Sequence, residues 1–182
     1  VHGVGGWVAL AVILILGPRQ GRFEQDRDGR SMPGSNLPLA MLGALMLMFG
    51  WFGFNGGSTL SFDGRVPGII ANTVLAAIAG TLGGMVMSWL RWRLVDPVYP
   101  LNGMIAGMVA VTAGAHVVDA SAAFFIGLIG AVVMYLADRL LLRFQIDDAV
   151  GAVPVHLASG IWGTLAVALF ADLGALGTGL TR

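Results

Sequence analysis

Apolar residues fill long stretches of this chain, and its charges fall between them. Thirty-two residues without Asp, Glu, Lys or Arg separate Arg30 from Asp63, and twenty-five separate Arg65 from Arg91. Asp96 to Asp119 encloses twenty-two, Asp119 to Asp138 eighteen, and Asp148 to Asp172 twenty-three. Val1 to Pro18 is a further apolar run. A helix needs about 20 mainly apolar residues to cross a hydrocarbon layer of ~30 Å. The pattern therefore predicts six membrane helices, over roughly 1–17, 37–58, 67–90, 101–118, 120–142 and 149–171. The expected fold is an all-α, polytopic membrane helix bundle. A soluble domain of this size could not bury apolar surface on every side of every helix.

Composition agrees. Apolar residues make up 57% of the 182 and charged residues only 11%, against roughly 45–50% and about 25% in soluble proteins. Ten bases cancel ten acids, so no net charge advertises nucleic acid or an acidic substrate. The chain has no cysteine, which excludes disulfides, thiolate metal sites and a cysteine nucleophile. The first apolar run begins at full intensity at Val1, without a basic leader or a small-residue cleavage site. The 182 residues thus read as one partial membrane domain, cut from a larger one at both ends. The ending from Gly174 to Gly179 reads as a loop.

Where the bases fall gives an orientation. Arg19, Arg22, Arg27 and Arg30 lie in the first loop, Arg91 and Arg93 in the third, Arg139 and Arg143 in the fifth. Arg65 in the second loop and Arg182 in the tail are the only others. Lys and Arg collect on the cytoplasmic side of a membrane, so the odd loops are expected there and both chain ends outside. Trp51, Trp89, Trp92 and Tyr99 stand near predicted helix ends, as an interfacial aromatic belt requires.

Several residues are out of place in hydrocarbon. Gly80 and Gly84, Gly103 and Gly107, Gly127 and Gly130, and Gly160 and Gly163 are spaced for close helix packing. His156 lies eight residues past Asp148, about 12 Å into the last helix and near the midplane. An ionisable group at that depth marks a pathway or relay by default, or else an inter-helix hydrogen bond. His2 stands at the edge of the first run, and His116, beside Asp119, reads as a solvated loop residue. Trp51, Phe54, Asn55 and Ser58 are spaced i, i+3, i+4, i+7, on one helical face. Aromatic faces attract small cations, and a hydroxyl accepts a hydrogen bond from an ammonium-like donor. Interfacial anchoring would explain the same stripe. No metal-ligand set, phosphate loop or nucleophile–base pair is present, so neither an enzyme nor a cofactor is expected.

These residues resemble a known family. Trp51-Phe52-Gly53-Phe54-Asn55-Gly56-Gly57-Ser58 is similar to the signature of the ammonium transporter (Amt/Rh) family. Val1-His2-Gly3 with Leu16-Gly17-Pro18-Arg19 resembles its fifth membrane helix, Asn36-Leu37-Pro38 the lead-in to the sixth, and Asn72-Thr73 the seventh. Gly103 to Gly107 with Val111-Thr112-Ala113-Gly114 is similar to the eighth. Asp147-Asp148 with Val155-His156, Gly160 and Gly163-Thr164 is similar to the tenth. The out-to-in direction of the first helix, read from the arginines alone, agrees with that placement.

The resemblance implies an eleven-helix fold built as two inverted halves, assembled as a homotrimer in the inner (plasma) membrane. It implies that His2 and His156 are paired histidines lining a narrow apolar path. Phe54 would gate the outer mouth, and Ser58 and Trp51 would recruit ammonium there. Ammonium or ammonia is the expected substrate, and a PII-type regulatory protein a possible cytoplasmic partner. The alternative is an ammonium sensor domain driving an output domain. Two positions depart from the family pattern: Leu157 stands where Gly is usual, and Gly151 where many members carry Asp. A bulky Leu157 is expected to alter packing around the imidazole. The acidic residue that the family places shortly before the first pore histidine would lie upstream of Val1.

Overall fold

A computed structural model describes residues 1–24, 32–172 and 174 of the chain. Arg27, Arg30 and Arg182, used in the orientation argument, lie outside them, as does most of the loop expected after Gly174. The described residues form α1 (His2–Leu16), α2 (Leu37–Gly57), α3 (Val66–Trp92), α4 (Val98–Thr112) and α5 (Ala120–Arg143). A π-helical turn (Val153–Ala158) then runs directly into α6 (Ser159–Phe170). No strand occurs among the described residues. The expected all-helical architecture is the one observed.

Four spans are long and apolar enough to cross a membrane: α2, α3, α5 and the continuous Val153–Phe170. α4 has 15 residues, about 22 Å at 1.5 Å per residue, short of the ~30 Å hydrocarbon layer. α4 is sheltered instead. Its Ala106, Met108, Val109, Ala110 and Val111 are fully buried, between α3 on one side and α5 on the other. The contact is backbone to backbone. A methyl group added at Gly80 would strike the Gly103 carbonyl, one at Gly103 the Gly80 carbonyl, and one at Gly107 the Ala76 carbonyl. Packing attraction grows as backbones approach, and in lipid it replaces the hydrophobic drive that water supplies elsewhere.

Two predicted helices need correction. The fourth, expected over 101–118, runs from Val98 to Thr112. Its start moves earlier because Pro100 in the first turn needs no amide partner. Its end moves earlier because residues 113–118 coil into turns closed by Gly114 N to Val111 O (3.0 Å) and Val117 N to Gly114 O (2.9 Å). Asn72 of α3 secures them, donating from Nδ2 to the carbonyls of Ala115 (3.0 Å) and Val118 (2.9 Å). The last helix, expected from 149, begins at the π-turn. Gly151 has φ +74°, and the Asp148 carboxylate accepts the amides of Ala152 (3.0 Å) and Val153 (2.7 Å), as a capping residue does.

The odd loops meet at one end of the bundle. Asp147, after α5, accepts from Arg19 N (3.0 Å), Arg19 Nε (2.7 Å) and Arg19 Nη2 (2.8 Å), all after α1, and from Arg22 Nε (2.9 Å). Nearby, Tyr99 at the start of α4 donates to Asp138 on the last turns of α5 (2.8 Å). At the other end the segment after α6 meets the fourth loop, where Asp172 N donates to Val117 O (2.7 Å). Each helix therefore traverses the bundle once, and the Arg-rich loops share a side.

α1 joins this bundle along the π-turn and the start of α6. A Cβ at Gly6 would lie 2.6 Å from the backbone nitrogen of Leu157, and one at Gly160 would lie 3.3 Å from the backbone nitrogen of Gly3. The Leu157 side chain is buried in a cluster with Ala9, Leu10 and Ile13 of α1. The bulk expected to disturb this region is accommodated by Gly6.

Two outcomes follow for the full-length protein. Asp147→Ala removes the carboxylate that accepts from the buried Arg22 Nε and is expected to destabilise by about 1.5–3 kcal/mol, as for a charge-assisted hydrogen bond, the half-exposed Arg19 adding little. The Arg19 guanidinium, with the Arg19 amide and Arg22, outweighs burial and holds the Asp147 carboxyl well below the usual carboxylate range. The stabilisation is therefore complete above pH ~4 and is lost as pH falls through the lowered folded value. Thermal unfolding across pH, wild type against variant, reads both; midpoints that coincide at neutral pH would refute the latch. Gly6→Ala is expected to cost about 1–3 kcal/mol by overpacking, whereas Gly5→Ala, with nothing within 4 Å of its added methyl, is expected to hold the midpoint or raise it slightly, alanine being the better helix former. Equal midpoints for the two variants would contradict the close approach.

Candidate functional site

The residues singled out by sequence come together where α1, α2 and the π-turn meet. His2 begins α1, Trp51 and Phe54 lie in the last two turns of α2, and His156 is the fourth residue of the π-turn. The His2 imidazole stacks between two rings. Its centroid is 5.0 Å from the Trp51 ring at an interplanar angle of 15° and 5.3 Å from the His156 ring at 19°. Phe54 stands to the side, 5.6 Å from His2 and 6.0 Å from Trp51. The column thus runs Trp51, His2, His156, flanked by Phe54.

Each ring is placed by a different part of the fold. Trp51 is buried, and its Nε1 donates to the Thr112 hydroxyl on α4 (3.0 Å), which donates in turn to the Met108 carbonyl (2.6 Å). His2 is set by the Gly6–Leu157 contact about one turn further along α1. His156 is carried by a turn with i→i+5 bonding, a geometry that is rare and common at functional positions. Among the described residues the Nε2 of His2 is buried and has no hydrogen-bond partner.

The stripe expected on α2 divides. Successive helical residues are about 100° apart around the axis, so Phe54 and Asn55 look in different directions although both lie within the stripe. Phe54 faces His2. Asn55 is buried against α3 and donates from Nδ2 to the Thr73 hydroxyl (2.9 Å). Ser58, at the exposed helix end, donates to the Phe54 carbonyl (2.6 Å), which leaves its oxygen lone pairs available. His116 lies exposed in the loop before α5 and apart from the cluster.

A cavity of about 500 Å³ adjoins the column, bordered by His2, Trp51 and Phe54. Gly43, Met46, Leu47 and Gly50 complete its wall. Sequence reasoning missed these four. Their spacing of i, i+3, i+4 and i+7, continuing to Phe54, was the available signal, since it puts them on one helical face. The wall is apolar apart from the imidazole and the indole, and offers few groups that could hydrate an ion. Among the described residues no group of three or more His, Asp or Glu could hold a metal.

Known proteins resemble the chain over most or all of its length. The profile of the Ammonium Transporter Family matches residues 1–181. The chain is 47% identical over 182 residues to a putative ammonium transporter of Synechocystis sp., covering all of this chain and 34% of that protein. It is 44% identical over 173 residues to ammonium transporter Amt2 of Archaeoglobus fulgidus, covering 94% of this chain and 37% of the relative. The chain therefore spans about a third of the length of these curated relatives. Among solved structures, a sensor Amt protein superposes with a TM-score of 0.91 at 35% identity, covering 96% of this chain and 44% of that one. Mep2 of Candida albicans superposes with a TM-score of 0.86 at 30% identity, covering 97% of this chain and 39% of that one. From the helix order, the multi-pass apolar spans and these likenesses together, the chain belongs to the ammonium transporter family.

Proposed function

We propose that the 182 residues form part of a larger domain that conducts ammonium or ammonia across the membrane, with the path running beside the His2–His156 pair. The single observation carrying this reading is the ring column. Two imidazoles stack 5.3 Å apart, and the His2 ring borders a largely apolar cavity together with the Trp51 indole and the Phe54 ring. Such a place is costly for a full charge, at least ~2.5–3.5 kcal/mol even on permissive insertion scales. A site that recruits a small cation and then passes a neutral amine avoids most of that cost.

The residues divide the work accordingly. The Phe54 ring, 40% exposed, and the Trp51 indole offer π-faces to an ammonium cation. Ser58, its own proton committed to the Phe54 carbonyl, accepts a hydrogen bond from it. Phe54, beside the column, acts as the gate at the outer mouth. Beyond it, each imidazole presents one donor and one acceptor to a neutral amine, or passes a proton to its neighbour. The unpartnered Nε2 of His2 is the atom placed to do so. No bond is made or broken in the substrate apart from this proton exchange, so the activity proposed is transport and not enzymatic conversion.

The curated relatives are named as ammonium transporters and one solved structure as a sensor; transport is the reading adopted. Trimeric assembly, residence in the inner membrane and docking of a PII-type protein at the Arg-rich end belong to the same proposal and rest on the family likeness. The decisive variant is His156→Ala in the full-length protein. Loss of a hydrogen bond to the passing amine is expected to lower methylammonium uptake about tenfold, or to alter the charge moved per substrate. Uptake and current both unchanged would remove His156 from the mechanism.

A further inference from the structure

The π-turn that carries His156 is held from outside the path by a residue assigned no role so far. Ser159 follows the turn and is fully buried. Its amide donates to the Pro154 carbonyl, one of the wide bonds that define the turn. Its hydroxyl lies 3.1 Å from the Gly130 carbonyl on α5 and 3.3 Å from the same Pro154 carbonyl. A hydroxyl has one proton, so it shares that proton between the two acceptors or alternates between them. Back-bonding by serine within its own helix is ordinary. A bond that also crosses to a neighbouring helix is different, because it fixes the turn relative to the bundle.

Gly130 is a firm attachment point. A methyl group there would lie 2.9 Å from the Ala110 Cβ of α4, so the α5 backbone is already seated on its neighbour. His156 thus stands between two anchors, Pro154 and Ser159, which one hydroxyl joins to α5. On the opposite side Leu157 bears on Gly6 of α1. A wide turn permits several ring positions, and two-sided clamping selects one.

We propose that Ser159 is a positioning residue that fixes the π-turn to α5 and so keeps the His156 imidazole stacked on that of His2. The functional part of the proposal rests on the conduction reading above; the positioning part does not. Ser159→Ala in the full-length protein keeps the packing and removes the bond, and Ser159→Cys, of nearly the same shape but a weak donor, serves where the alanine variant does not accumulate. In lipid, ring-nitrogen NMR is expected to show the His2 and His156 signals displaced and the distant His116 signals unmoved. Methylammonium uptake per folded protein is expected to fall about fivefold at saturation, with the half-saturating concentration unchanged because the recruiting residues are on α2. Unmoved His156 signals, or displaced signals with an unaltered maximal rate, would overturn the proposal. Failure of the conduction reading is told apart by His156→Ala, since unaltered transport there leaves the ring displacement as an independent test of positioning.

Discussion

The approach of α1 to the π-turn at Gly6 and Leu157 leaves no room for a side-chain carbon, and the site depends on that contact. Among the described residues α1 packs mainly against the π-turn, with a smaller contact to α6, so this seam sets its position relative to them. Gly6 against the Leu157 backbone and Gly160 against Gly3 define the separation of the two helices at the level where both carry histidine. At the far end of α1, Asp147 gathers Arg19 and Arg22 and closes the seam a second time. Dispersion acts over short distances, and in a bilayer it is what small residues gain by allowing backbones to touch. The ring stacking follows from where the backbones are.

The same economy runs through the rest of the bundle. α4 is too short for a bilayer, yet lies between α3 and α5 where glycine carbonyls meet glycine α-carbons, and it supplies Thr112 to hold Trp51. α2, by contrast, is bound along little of its length and turns Gly43, Met46, Leu47 and Gly50 toward an apolar cavity. A rigid scaffold of α3, α4 and α5 therefore carries two less enclosed elements, α1 and α2, whose facing ends hold the rings. Some polar groups inside the scaffold bond one another, Asn55 Nδ2 to the Thr73 hydroxyl and Asn72 Nδ2 to the Ala115 and Val118 carbonyls. Among the described residues Asn55 Oδ1 and His2 Nε2 are buried without a hydrogen-bond partner.

Much of the architecture was legible in the chain because a membrane makes simple demands. An apolar run between charges must be a helix, since unpaired backbone groups cannot remain in lipid, and the runs from 37, 67 and 120 became α2, α3 and α5 with ends shifted by no more than two residues. The site was legible in part: His2, His156, Trp51 and Phe54 converge, and the signature around Trp51 pointed at them. What the pattern could not carry was tertiary. The end of α4 is set by Asn72 reaching across from α3, and the wide turn at Val153–Ala158 by bonds to α5 and contact with α1. Asn55 shared a stripe with Phe54 on spacing, but 100° around the helix directs it to Thr73. Leu157 read as an intrusion because its counterpart, Gly6, lies about 150 positions away in sequence.

The central claim is that these helices hold two imidazoles in stacked contact within the membrane, beside a path. A long-mixing carbon–carbon correlation spectrum of the full-length protein, histidine-labelled and in lipid bilayers, tests it most directly. A cross-peak between the ring carbons of His2 and His156, with none from either to His116, is the predicted result. Signals assigned to His2 and His156 without a cross-peak between them would contradict the account.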